Sequence, residues 1–223
     1  DQYGRKIDYM RISVTDRCNL RCRYCMPEQG IDKVTHEEML SYEEILRLCW
    51  IVSALGIRKI KITGGEPLVR LGVCNLIRAI KGMKDIEQVT LTTNGVMLPA
   101  MAKELLATAI DGINISLDTL RASDFTALTG QNRLTEVLAG LTQLLQSGYK
   151  SVKINCLPLA GINDDQLVTL AGMAKEQFLT VRFIELMPMG CGTAFLPITM
   201  SVVRQKLQEA YGMLTPYRQV LGN

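Results

Sequence analysis

The sequence comprises 223 residues, 48% of them hydrophobic, with a formal net charge of +3, enough chain to bury a core as one α/β barrel-like domain or two small domains. Its lysines and arginines are dispersed without a basic block, which excludes nucleic-acid binding through bulk charge, and no run approaches the roughly 18 apolar residues of a membrane span. Residues 1–17 lack the apolar centre of a signal peptide, and seven cysteines, an odd number, fit reduced thiols in the cytoplasm and not a disulfide framework.

The first strand-like segment, near 9–15, alternates Met10, Ile12 and Val14 with Arg11, Ser13 and Thr15. It runs into Arg17-Cys18-Asn19-Leu20-Arg21-Cys22-Arg23-Tyr24-Cys25-Met26-Pro27, in which the cysteines are spaced C-x3-C-x2-C. Three thiolates on one loop can hold three irons of a four-iron, four-sulfur cluster and leave the fourth iron open to a small molecule. A structural zinc site competes for the same thiols, but it wants four ligands, and the chain has one histidine, His36, and no second cysteine pair. Cys49, Cys74, Cys156 and Cys191 stand singly and read as small buried hydrophobes.

A helix is expected at 42–55, opened by a capping box between Ser41 and Glu44 and closed by Gly56. The strand at 58–63 alternates Lys59, Lys61 and Thr63 with Ile60 and Ile62, and passes into Thr63-Gly64-Gly65-Glu66-Pro67. There the glycines allow backbone to approach a ligand, Glu66 offers an acceptor for an ammonium group and Pro67 stops the strand. A helix near 72–82, a strand at 88–94 carrying Thr90, Thr92 and Asn94, and a helix near 99–108 follow. Next come a strand at 112–118 with Asn114, Ser116 and Asp118, a helix at 133–147, a strand at 151–157 with Lys153 and Asn155, and a helix at 164–177. The last pair is a strand at 180–186, whose faces cannot be assigned because its alternation breaks, and a helix near 199–211 capped by Thr199.

Strands alternating with helices at this spacing predict βαβ units and a parallel sheet. Six units are too few for the eight-stranded barrel, so the expected fold is an open, partial (β/α)6 TIM-like barrel. Since side chains two apart share a face, five strands should aim polar groups into one interior able to hold a large polar ligand. A half-exposed sheet meeting water is the competing reading.

The cysteine loop with Tyr24 before its last cysteine, followed by Gly64-Gly65-Glu66-Pro67, resembles the radical S-adenosylmethionine (SAM) enzymes. Longer runs are similar to the GTP 3′,8-cyclase family of molybdenum cofactor biosynthesis: Arg11-Ile12-Ser13-Val14-Thr15-Asp16-Arg17, Thr92-Thr93-Asn94-Gly95, Asn114-Ile115-Ser116-Leu117-Asp118, Gly161-Ile162-Asn163-Asp164-Asp165 and Arg182-Phe183-Ile184-Glu185-Leu186-Met187. The resemblance implies a lyase that uses a deoxyadenosyl radical to take the ribose 3′ hydrogen of GTP, so that this carbon bonds to C8 of guanine. It makes Cys18, Cys22 and Cys25 the cluster ligands and Tyr24, Gly64, Gly65, Glu66, Ser116 and Met187 the neighbours of S-adenosylmethionine. It places Arg11, Lys61, Thr92 and Lys153 at GTP, with Arg182 a further candidate. A reducing electron donor is implied, and a homodimer is compatible with it.

Family members continue beyond the barrel with a second cysteine triad, C-x2-C and a distant third, that holds another four-iron cluster at the guanine base. None lies before Asn223, so the second cluster is expected only in a full-length chain. The start at Asp1 and the stop at Val220-Leu221-Gly222-Asn223 read as those of a fragment. On this reading residues 1–196 form the radical SAM barrel and 197–223 begin an incomplete C-terminal region, and the fragment binds S-adenosylmethionine without turning over GTP efficiently. Two alternatives remain at this stage: another radical enzyme acting on an anionic substrate or a peptide, and a non-enzymatic iron-sulfur electron carrier.

Overall fold

A computed structural model describes residues 2–27, 29–30, 35 and 37–217; Asp1, His36 and the segment 218–223 lie outside the described residues. Among the described residues six strands and seven α-helices follow in chain order: β1 (Tyr9–Ser13), α1 (Tyr42–Ala54), β2 (Lys59–Thr63), α2 (Val73–Lys81), β3 (Gln88–Thr93), α3 (Leu98–Leu106), β4 (Gly112–Ser116), α4 (Ala122–Thr129), α5 (Leu134–Gln146), β5 (Val152–Cys156), α6 (Leu167–Glu176), β6 (Thr180–Phe183) and α7 (Met200–Tyr211). The strands form one parallel sheet in the order β1-β2-β3-β4-β5-β6. Each strand pairs with its neighbours in sequence, and β1 and β6 are the edges of an open barrel.

One face of the sheet is the core. Ile60, Ile62, Val89, Leu91, Ile113, Ile115, Val152 and Ile154 are all essentially inaccessible and pack against the helices; full burial of an aliphatic side chain this size contributes about 1.5–3 kcal/mol. The other face carries the polar partners of the alternation, in register. Arg11 lies beside Lys61 and Lys61 beside Thr90, Thr92 beside Asn114 and Asn114 beside Lys153, and Asn155 beside Arg182.

Register also settles the sixth strand. Arg182 Nε donates to Asn155 Oδ1 at 3.0 Å and Nη2 to Asn114 Oδ1 at 3.2 Å, so Arg182 joins the polar face. All four residues of β6 are only partly buried, as befits an edge strand, which is why its sequence does not alternate cleanly.

The capping box forms as expected. Ser41 Oγ accepts from Glu44 N at 3.2 Å, Ser41 N donates to Glu44 Oε2 at 2.7 Å, and Gly56 follows the helix at φ +103°. Thr199 is at the N-cap position of α7, but its hydroxyl pairs with Ser201 Oγ at 2.8 Å and caps no backbone amide. The helix α4 has no counterpart among the expected elements. α7 does not stand apart from the barrel: Val203 and Ile198 share a core cluster with Leu167 and Leu170 of α6, and Tyr211 Oη donates to Val168 O at 2.8 Å.

Candidate active site

The three-cysteine loop leaves β1 and crosses the end of the sheet. Its backbone turns on Cys22, whose carbonyl accepts from Cys25 N at 2.8 Å and Met26 N at 3.1 Å. The loop is clamped to the last turn of α4: Arg21 N donates to Thr129 O at 2.8 Å and Arg23 N to Leu128 O at 2.9 Å, which satisfies carbonyls that a helix C-terminus leaves without intrahelical partners. Asn94, just past β3, donates through Nδ2 to Asn19 Oδ1 at 2.8 Å and approaches Cys18 Sγ at 3.8 Å.

Burial raises all three thiol pKa values. Cys22 is pushed up to about 12, first by burial and then by the charge of Asp118 and the neighbouring Cys18 and Cys25. Cys18 is raised by burial against a backbone hydrogen bond from Leu20, and Cys25 by burial and by Cys191. The thiols therefore hold their protons until a cationic group displaces them. Among the described residues no three His, Cys, Asp or Glu side chains converge on one ion, yet the three thiols sense one another's charge. That spread suits a cluster offering irons at separate corners.

The Gly64-Gly65 segment is the floor beneath this loop. Gly65 N donates to Thr15 O at 2.6 Å and Glu66 N to Arg17 O at 2.7 Å. A Cβ at Gly64 would stand 2.7 Å from Thr15 O, and one at Gly65 would stand 2.7 Å from Asp16 O. Glycine is required here by close approach of two backbones. In the full-length protein, Gly65→Ala is expected to lower stability by about 1–3 kcal/mol, because the obstructing atoms are backbone and the loop must shift; it should also reduce iron uptake. Urea unfolding and iron content after reconstitution check both.

Glu66 is enclosed by donors from the protein. It is 1% exposed; Oε1 accepts from Leu68 N at 3.0 Å and Thr93 Oγ1 at 2.7 Å, and Oε2 from Asn94 N at 2.6 Å. The carboxylate ties the end of β2 to the end of β3, and burial raises its pKa against the pull of those donors.

Arg11, Lys61, Lys153 and Arg182 act on one another across the polar face, whereas Lys59 pairs with Asp8 at 3.3 Å. The Lys61 amine is held down to about 8, first by burial and then by Arg182, Arg11 and Lys153. Burial and Arg182 lower Lys153; burial and Arg11 lower Arg182. Lys61 Nζ stands 5.8 Å from the centre of the Tyr9 ring. Thr92 Oγ1 accepts from Asn114 Nδ2 at 3.4 Å, while the buried Thr90 hydroxyl has no hydrogen-bond partner among the described residues. A face with mutually repelling cations and an unmatched hydroxyl is built to meet an anion.

Ser116, at the end of β4, lines a small cavity with Cys22, Tyr24, Asn94 and Asp118. Met187 is 69% exposed, which removes the core-filling role; it precedes a 3-10 turn at Gly190–Ala194. Phe195, just after that turn, meets the Tyr24 ring edge-on at 6.3 Å, and Arg23 lies 5.8 Å over the Phe195 ring. Sequence reasoning missed Asn94 as a loop tether, Phe195, and Cys191 as a neighbour of Cys25.

The model of the Radical SAM superfamily matches residues 12–174. The chain belongs to this superfamily. Among curated relatives, a GTP 3′,8-cyclase of Petrotoga mobilis is 46% identical over 85% of this chain and 59% of its own length. One of Heliobacterium modesticaldum is 45% identical over 94% and 65%, and one of Syntrophomonas wolfei is 44% identical over 100% and 69%. Within the radical SAM superfamily the chain is thus a member of the GTP 3′,8-cyclase family, and it spans roughly three fifths to two thirds of the relatives it matches. The solved structure of Streptococcus suis SuiB bound to S-adenosylmethionine shares the fold at a TM-score of 0.71 and 19% identity, over 91% of this chain and 46% of SuiB. Radical SAM membership implies a four-iron cluster and S-adenosylmethionine, and among the described residues no helix is long and apolar enough to cross a membrane.

Proposed function

We propose that this chain carries the radical SAM core of a GTP 3′,8-cyclase, which forms 3′,8-cyclo-7,8-dihydroguanosine 5′-triphosphate in the first step of molybdenum cofactor biosynthesis. The observation that carries the reading is the convergence of Arg11, Lys61, Lys153 and Arg182 on one face of the sheet. Such a face fits a triphosphate and penalises a neutral peptide.

Cys18, Cys22 and Cys25 would hold the cluster, and Tyr24, Gly64, Gly65, Ser116 and Met187 would border S-adenosylmethionine. Glu66 would act on the cofactor's amino group through the loop it fixes and its one remaining acceptor position. When bound, the cluster and S-adenosylmethionine supply a reducing electron and a carbon radical able to abstract hydrogen from the ribose. The chain's own residues do the rest: the cations hold the triphosphate, Thr92 orients the nucleotide beside them, and the rigid strands keep the reacting ribose in place and exclude water. Residues from 197 onward would begin the C-terminal region, whose second cluster and guanine site complete the enzyme.

The test is anaerobic reconstitution of the full-length gene product with iron, sulfide, dithionite, S-adenosylmethionine and GTP. GTP-dependent 5′-deoxyadenosine together with a cyclised GTP product is expected. Deoxyadenosine formed without dependence on GTP would assign the barrel to another substrate.

Lys61 also predicts the pH dependence of binding. Its folded pKa of about 8 lies below the ordinary lysine value, so in the free protein it loses charge as pH rises through 8. A bound triphosphate favours the charged form, so binding takes up protons above pH 8 and GTP affinity falls there. Calorimetry at pH 8.5 in buffers of different ionisation enthalpy should register uptake of up to one proton; a pH-independent affinity between 7 and 9 would contradict it.

A further inference from the structure

The Tyr24 hydroxyl donates to Asp118 Oδ2 at 2.7 Å. The other carboxylate oxygen, Oδ1, accepts from Leu157 N at 2.8 Å, just past β5. The Asp118 carbonyl accepts from Asn163 Nδ2 at 2.7 Å. Asn163, which has no exposed surface, also donates to Leu157 O at 2.9 Å and accepts from Leu159 N at 2.8 Å. Asp118 is 7% exposed, and each of its carboxylate oxygens already serves a donor from the protein. Its carboxylate thus faces the cysteine loop and the β5 end.

We infer that Asp118 is a positioning residue for the three-cysteine loop: it grips the Tyr24 side chain, and through it the Cys22–Cys25 turn, from the buried junction of β4 and β5. The amides of Arg21 and Arg23 fix the first part of the loop to α4. The Tyr24 hydroxyl fixes the part beside Cys25 to a different element, so the two tethers together set the spacing between Cys22 and Cys25. Asn163 makes the grip rigid by locking both Asp118 and Leu157. Residues that orient metal ligands from behind change metal affinity by about 10- to 100-fold when altered. The inference rests on the cluster reading above for its purpose, but its geometry can be tested without a cluster.

The experiment uses the full-length protein with Tyr24→Phe, Asp118→Asn and the double variant. Tyr24→Phe removes the donor, and Asp118→Asn keeps an acceptor for Leu157 N while taking the charged acceptor from the tyrosine. Hydrogen exchange is followed in the iron-free protein over the peptide spanning Cys22 to Met26, and the rate of iron loss to a chelator in the reconstituted protein. Each single variant should speed loop exchange and iron loss by about 10-fold, with the rest of the barrel protected as in the wild type. The double variant should be no faster than either single one, because both remove the same hydrogen bond. Unchanged loop exchange in the single variants, or effects that multiply to about 100-fold in the double variant, would overturn the inference. A wild-type protein that takes up no iron would remove the cluster reading instead, and loop exchange would still decide the tether.

Discussion

Replacing Cys22 by alanine in the full-length protein is expected to leave the fold intact while almost all reconstituted iron, and with it cleavage of S-adenosylmethionine, is lost. The two halves of that result have separate causes. Burial and its neighbours push the Cys22 thiol up to about 12, so the cluster-free protein holds it neutral and no ion pair depends on it. Its removal creates only a sulfur-sized gap on a partly exposed loop, a loss of about 1 kcal/mol or less. Iron binding is another matter, because thiols this reluctant to ionise do so only when several metal charges neutralise them together, and two ligands are too few. Cys74 supplies the contrast. It lies on the buried face of α2, so Cys74→Ala should lower the midpoint of urea unfolding yet retain wild-type iron. Iron analysis and unfolding curves on both variants check the pair; iron loss in the Cys74 variant would mean that the scattered cysteines take part.

Lys61→Met should move stability and binding in opposite directions. The lysine is 5% exposed and is flanked by Arg11, Lys153 and Arg182, all of which disfavour its charge. Since the folded pKa is depressed, charged Lys61 opposes folding at pH 7, and the ligand-free protein gains stability as pH rises from about 8 toward the ordinary lysine range. Methionine keeps the aliphatic stem without the charge, so the melting temperature of the ligand-free protein should be unchanged or higher. GTP affinity should fall by about 10- to 150-fold, the worth of one hydrogen bond to a charged group at 1.5–3 kcal/mol. Binding of S-adenosylmethionine should change little. A variant that loses stability and GTP affinity together would show that Lys61 holds the barrel and not the nucleotide. Stabilisation by removal of a binding residue is the usual mark of a site kept strained for function.

The polar face was legible because a strand repeats every two residues: one look at Arg11, Lys61, Thr92, Asn114 and Lys153 against Ile60, Ile62, Leu91, Ile113 and Ile154 separates site from core. The glycine pair was legible as a place of close approach, although what it approaches is the chain itself, at Thr15, Asp16 and Arg17. α4 was not legible. It is eight residues long, has at its N-cap Arg121, whose side chain caps no backbone amide, and falls short of the length at which apolar periodicity identifies a helix. Glu66 and Asp118 show an ambiguity of another kind. A buried carboxylate in a polar pattern signals a ligand and a structural tether equally well, and only the donors around it distinguish them. Cys191 offered no sequence signal at all, since its nearness to Cys25 comes from a turn docking on the loop.

The tether between Tyr24 and Asp118 spans 94 positions in the chain, and this sets an order of events during synthesis. With every strand paired only to its neighbours in sequence, the sheet can grow strand by strand as the chain emerges, N-terminal part first. The cysteines are made just after β1, yet the acid that grips their loop arrives only with the end of β4, roughly 5–20 s later at ordinary rates of translation. Throughout that interval the three thiols belong to a loop with neither anchor, since the α4 carbonyls of Leu128 and Thr129 are made later still. If the three thiols hold a cluster, its insertion into a preformed site would be confined to chains grown past Thr129, and a pause in translation before that point would lengthen the time for which the thiols stand open to oxidants.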